Sequence, residues 1–157
     1  MKTILVAVDF SDVASNLVKT VKTLASALKC RVILLHVRQT SGLTDAPVGE
    51  QIPLTPNLAG PVTPILLQEE TNEEAQKQLD HFKKHFDGVR FAVTTQQCKG
   101  PAVDMILHAC KADSVDLIVM GSHGHSALYN LLLGSVTAGV LKSATCPVLV
   151  VPSPRAS

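Results

Sequence analysis

Short β-branched runs take turns with stripes of helical spacing along most of this chain, and few folds accept such a pattern. Residues 3–9 (TILVAVD) form the first apolar run. Val13, Leu17, Val21, Leu24 and Leu28 then recur at intervals of three and four, the period of one helix face. Ser11 and Asp12 precede that stripe and suit a helix start, as a cap and as a negative charge at the positive dipole end. Residues 31–37 (RVILLHV) make a second strand. Residues 89–96 (VRFAVTTQ) make a third, more alternating and so nearer a sheet edge. Val103, Ile106, Leu107 and Cys110 mark a helix after Gly100-Pro101. Residues 116–120 (DLIVM) and 147–151 (PVLVV) are the fourth and fifth strands, with a helix over 135–143 that turns Val136, Val140 and Leu141 inward. Strands that alternate with helices and are apolar on both faces predict a mainly parallel sheet with helices on both sides, the doubly wound α/β class.

One stretch breaks the rhythm. From Arg38 to Pro64 there is no periodicity, and five of the nine prolines (Pro47, Pro53, Pro56, Pro61 and Pro64) fall there. We read 38–64 as a long flexible insertion within a single domain spanning 1–157, either a lid or a flap. An acidic helix start follows at 68–74, and its stripe runs through Ala75, Leu79, Phe82 and Phe86, with His81 and His85 on the same helix.

Composition narrows the function. A net charge of +1 gives no basic footprint for nucleic acid, and no Trp with one Tyr leaves little on which to stack bases. No apolar run reaches the roughly 18 residues of a membrane span. The opening apolar run is too short for a signal peptide and ends in Asp9. Cys30, Cys98, Cys110 and Cys146 stand singly, without zinc spacing, and read as reduced thiols of a cytoplasmic protein.

The chemistry concentrates after the fourth strand, in 121-GSHGHSALYNLLLGSVT-137. In an open parallel sheet, ligands sit beyond the carboxyl ends of the strands. Gly121 and Gly124 would allow positive φ and a close backbone approach. Successive N–H groups in such a turn make an anion-binding concavity. Gly134-Ser135-Val136-Thr137 opens the next helix, whose free N–H groups suit a phosphate, and Ser135 and Thr137 add hydroxyls for a phosphate or a metal ion such as Mg²⁺. The same glycines also serve as plain turn residues, His123 and His125 as solvated loop residues, and Asp9 as either a cap or an acceptor for ribose hydroxyls. No Lys or Arg occurs between Lys111 and Lys142, so the cationic clamp of phosphoryl transfer is missing. The segment suits binding a nucleotide better than turning it over.

These motifs together resemble the universal stress protein family over nearly the whole chain. The matching pieces are Ile4–Ser11, Leu34-Leu35-His36-Val37, Gly100-Pro101, Asp116–Gly124, Leu133–Val136 and Cys146–Val151. Gly121, Gly124, Gly134 and Ser135 fill the G-x2-G-x9-G-[ST] spacing of its ATP-binding branch. The resemblance implies a five-stranded parallel sheet in the order 3-2-1-4-5, with helices on both faces in a Rossmann-like fold. It implies a site for ATP, or for AMP or ADP, with adenine near Ala7 and Val37 and ribose near Asp9 and Gly121. Phosphates would lie along Ser122, His123, Gly124, His125, Ser126 and Ala127 and along Gly134, Ser135 and Val136, with Val8, Met120 and Thr137 completing the nucleotide-binding set. It also implies a homodimer through the last strand, Val148, Leu149, Val150 and Val151. Many members carry Arg after the second glycine and Gly two residues later, where this chain has His125 and Ala127. The expected function is that of a dimeric stress-response regulator with slow or no hydrolysis; a nucleotide-free interaction module and a slow ATPase or phosphoryl transferase are the alternatives.

Overall fold

The structure is a computed structural model that describes residues 2–11, 14–38, 71–122 and 133–152. Nine elements follow in the order β1 (Thr3–Ala7), α1 (Ala14–Leu28), β2 (Arg31–Arg38), α2 (Asn72–Lys84), β3 (Val93–Lys99), α3 (Ala102–Ala112), β4 (Leu117–Gly121), α4 (Ser135–Ser143) and β5 (Val148–Val151). The strands form one sheet in the order β3-β2-β1-β4-β5, and every pairing is parallel. β1 is central. Its residues Ile4 to Ala7 face Val32 to Leu35 on one side and Leu117 to Met120 on the other.

Because strand side chains alternate, the two faces of the sheet read as two apolar clusters. Ile4, Val6, Val8, Val32, Leu34 and Val119 turn to the face covered by α1, where Leu17, Val18, Val21 and Ala25 are buried, and by α2, which contributes Leu79. Leu5, Leu35, Ile118 and Met120 turn to the face covered by α3 and α4, through Ile106, Ala109, Cys110 and Val140. Burial on both faces explains why β1, β2 and β4 are unbroken apolar runs, as expected of a parallel sheet.

The start of α2 is written in local chemistry. The Thr71 hydroxyl accepts from the Glu74 N–H at 3.2 Å, and the Glu74 carboxylate accepts from the Thr71 N–H at 3.0 Å, which makes a reciprocal capping box.

Several sequence expectations shift. The third strand begins at Val93, not Val89, because β2 opens the pairing at Val32, whose N–H donates to the Ala92 carbonyl. Val89 and Phe91 pack instead against the α1–α2 cluster. Its place at the sheet edge is as expected. Leu28 and Leu141, both assigned inward, are 45% and 43% exposed. Leu28 ends its helix just before Lys29, which turns the chain at φ 52°. On α4 the inward positions are Thr137 and Val140, with Val136 half-buried, so Leu141 falls one residue outside that stripe. Ser11 donates its hydroxyl to Asp9, while Asp12, Val13 and the 39–64 part of the proline-rich segment lie outside the described residues.

Candidate functional site

Three carboxyl ends lie side by side where the sheet order reverses, β1 ending at Ala7, β2 just past Val37 at Arg38 and β4 just past Met120 at Gly121. Ala7, Val37 and Met120 all belong to the α3–α4 face. Val8 lies on the opposite face, with the α1–α2 cluster, and its N–H donates to the Leu35 carbonyl at 2.9 Å. Two residues beyond Ala7, Asp9 closes a tight turn. Its Oδ1 accepts from the Ser11 N–H at 3.1 Å and from the Ser11 hydroxyl at 2.7 Å. No hydrogen bond reaches its Oδ2 among the described residues, so half of this partly buried carboxylate is left to accept.

The end of β4 is tied to the start of α4 by two short bonds. The Ser122 carbonyl accepts from the Gly134 N–H at 2.8 Å, and the Thr137 hydroxyl donates to the Gly121 carbonyl at 2.9 Å. Ser122 in turn donates its N–H to the Val151 carbonyl at 2.9 Å, so β5 holds the same corner. Gly134 caps α4 with extended backbone and no side-chain bond. The N–H groups of Ser135, Val136 and Thr137 are the orphan donors of a helix start, and they open beside Gly121 and Ser122.

One expectation needs correcting here. Gly121 does not take a positive φ; among the described glycines only Gly88 and Gly100 do. It is the last residue of β4, still in register with Val151, and that pairing keeps it extended. The buried Thr137 hydroxyl donates to the Gly121 carbonyl, so it holds the corner together and keeps its lone pairs for any further contact. His123, Gly124, His125, Ser126 and Ala127 lie outside the described residues.

The sequence reading passed over a second feature at the same end of the sheet. His36 is buried, and its Nδ1 lies 2.8 Å from the Val8 carbonyl. A carbonyl only accepts, so Nδ1 carries the hydrogen and the tautomer is set. Phe10 stacks on His36 with ring centroids 4.1 Å apart and continues to Phe82 at 5.6 Å. Phe10 achieves this at φ 59°, a left-handed conformation that costs a non-glycine residue about 1–2 kcal/mol. The signal was a lone histidine in the apolar run 34-LLHV-37, on the parity of Val32 and Leu34. Elsewhere, no group of three or more His, Cys, Asp or Glu that would hold a metal ion occurs among the described residues, and no helix there is long and apolar enough to cross a membrane.

Comparison with known proteins agrees with this fold. The chain is 34% identical over 152 residues to universal stress protein MJ0577 of Methanocaldococcus jannaschii, covering 96% of this chain and 94% of that protein. It is 29% identical over 147 residues to universal stress protein YxiE of Bacillus subtilis, covering 94% and 96%. The solved structure of MJ0577 superposes with a TM-score of 0.77 at 32% identity, over 99% of this chain and 98% of that one. Two further structures share the fold at lower identity. One is a universal stress protein in complex with cAMP, with a TM-score of 0.68 at 19% identity, covering 98% of each chain. The other is the Archaeoglobus fulgidus universal stress protein in complex with dAMP, with a TM-score of 0.61 at 18% identity, covering 96% of this chain and 97% of that one. The model of the universal stress protein family matches residues 1–152, and the chain belongs to that family.

Proposed function

We propose that this chain binds an adenine nucleotide, ATP in the first instance, and acts as a regulatory stress-response protein with slow or no hydrolysis. One arrangement carries the reading: the half-engaged carboxylate of Asp9 and the uncapped N-terminus of α4 open at the same switch point of the sheet. That point is where nucleotides enter doubly wound folds. Proteins of the same fold occur in complex with cAMP and with dAMP, which supports an adenine nucleotide as the ligand class.

The adenine would lie over Ala7 and Val37, beside Met120, and Asp9 Oδ2 would accept a ribose hydroxyl. The phosphates would meet the backbone N–H groups of Ser135 and Val136, with Gly121, Ser122, Gly124, Gly134 and the hydroxyls of Ser126 and Ser135 around them. His125 takes the place where many members of the family carry Arg, His123 lies before the second glycine, and with no Lys or Arg from 112 to 141 the site would lack the clamp of a fast phosphoryl transferase. β5 ends the sheet, so Val148, Leu149 and Val150 present an edge that a second copy would cover as a homodimer. A cytoplasmic location belongs to the same reading.

Calorimetric titration of nucleotide-stripped protein with ATP and AMP, each with and without Mg²⁺, tests this. The expected result is saturable binding near one nucleotide per chain, lost in Gly124→Glu with the fold intact. Asp9→Ala should bind ATP and deoxyadenosine triphosphate alike. Absence of binding to a folded sample would overturn the proposal.

A further inference from the structure

The four cysteines are free, and two of them face each other in a part of the fold that the nucleotide reading does not use. Cys110 sits in the last turns of α3, and Cys146 stands just before β5. Their sulfurs are 3.2 Å apart across 36 positions of sequence. Cys110 is buried in the α3–α4 cluster with Ile106, Ala109 and Val140, while Cys146 is packed against the same cluster and is partly open. Cys30 and Cys98 have no such neighbour among the described residues.

We infer that Cys110 and Cys146 are a redox-modification site, at which a hydroperoxide converts the facing thiols to an intramolecular disulfide that joins α3 to the approach of β5.

The two sulfurs divide the work by exposure. Cys146, the more open, meets the oxidant. Its sulfur attacks one peroxide oxygen, the O–O bond breaks, and the products are a Cys146 sulfenic acid and the alcohol or water derived from the peroxide. The Cys110 sulfur then attacks the Cys146 sulfur. An S–S bond forms, the S–O bond breaks, and the departing hydroxyl leaves as water with the proton from Cys110. Two thiols are oxidised by two electrons and one hydroperoxide is reduced. Burial, and then the neighbouring sulfur, push the Cys110 thiol up to about 12, which keeps it a poor target for oxidant; its place 3.2 Å from the Cys146 sulfur is what makes it the resolving partner. Bond formation requires the sulfurs to close from 3.2 Å to about 2.05 Å, a movement of about 1.1 Å. The bond would enclose β4, the glycine-rich segment and α4 in one loop.

The test uses the full chain, reduced, desalted and exposed to hydrogen peroxide, then denatured and alkylated. The expected result is a fall from four alkylated thiols to two, with the Cys110 and Cys146 peptides joined in one species 2 Da below their sum. Loop closure of this size should raise Tm by about 5 °C or more in the oxidised form. Cys30→Ser/Cys98→Ser should behave like the wild type. Cys110→Ala should instead accumulate a Cys146 sulfenic acid trapped by dimedone. Four alkylated thiols after exposure, a bond between other cysteines or between chains, a lowered Tm, or no trapped sulfenic acid in Cys110→Ala would each overturn the proposal. No nucleotide enters the assay, so its failure is separate from that of the nucleotide reading.

Discussion

Thr137 offers a direct test of how the corner between β4 and α4 is held. Its hydroxyl donates to the Gly121 carbonyl at 2.9 Å from a position only 4% exposed. Thr137→Val keeps the branched shape and nearly the same helix propensity but removes the donor. A neutral buried hydrogen bond contributes about 1 kcal/mol, and a partner left poorly paired away from water raises the loss to about 1–3 kcal/mol. We expect about 2 kcal/mol, read as a fall in Tm of about 4–8 °C for a chain of this size. Thr137→Ser keeps the hydroxyl and gives up one methyl, a loss of about 0.8 kcal/mol. The two variants should therefore separate by about 1 kcal/mol in chemical denaturation. They should separate further in nucleotide affinity, because only the valine variant removes one of the two bonds between the α4 N-terminus and the end of β4. A valine variant as stable as wild type would refute the assignment of Thr137 as the tie. A valine variant that loses stability but binds ATP unchanged would detach the tie from the site.

Two further outcomes follow from packing and charge. Asp116 is held below the usual carboxylate range by the backbone N–H groups of Lys2 and Thr3, and Glu74 by the N–H of Thr71, followed by its hydroxyl. Both groups stabilise the fold fully above their ordinary values near 4. That contribution is lost as pH falls through the lowered folded values, so Asp116→Asn should flatten the acid limb of a Tm-versus-pH curve, and an unchanged limb would count against the bonds to β1. On the α3–α4 contact, a Cβ at Gly139 would lie 2.7 Å from Val103 Cγ2. Gly139→Ala should gain about 1 kcal/mol in helix propensity and lose about 1–3 kcal/mol to overpacking. In a Val103→Ala background the loss should vanish, and a double-mutant coupling below about 0.5 kcal/mol would show that the two helices part freely.

The fold was legible because the physics that writes it is local and periodic. Ile4, Leu5 and Val6 read as a strand buried on both faces, and they are; the central place of β1 came with the family resemblance, since burial alone does not give the strand order. α4 was read at its observed bounds because Gly134 and the loss of periodicity after Ser143 punctuate it. The start of β3 was missed because register belongs to the partner strand: Val89 and Phe91 are as apolar and β-prone as Val93, and only pairing with Val32 distinguishes them. The capping box at Thr71 and Glu74 was readable as T-x-x-E, but the acidic run around it drew the eye to charge rather than to the hydroxyl.

The site shows the same division at closer range. Residue types told which atoms could meet a phosphate, but not which were already spoken for. Thr137 read as a ligand hydroxyl, and its proton already goes to the Gly121 carbonyl; Asp9 read as either a cap or a ligand, and one oxygen is engaged while the other is left. Parity along the strands resolves what residue type does not. Ala7 turns toward the α3–α4 side, with Val37 and Met120 on the flanking strands and Asp9 in the turn that follows, while His36 and Phe10 close the α1–α2 side. Under the proposed nucleotide reading the adenine would take the first side, where the apolar Ala7, Val37 and Met120 line the strand ends. The second side already has its aromatic stack in Phe10, His36 and Phe82, and the strained φ of Phe10 is the conformational cost of putting it there. That division also predicts where substitution is tolerated. Phe10→Gly removes the strain and the stack together, so it should disturb the packing around His36 while leaving the Ala7–Asp9 side able to bind.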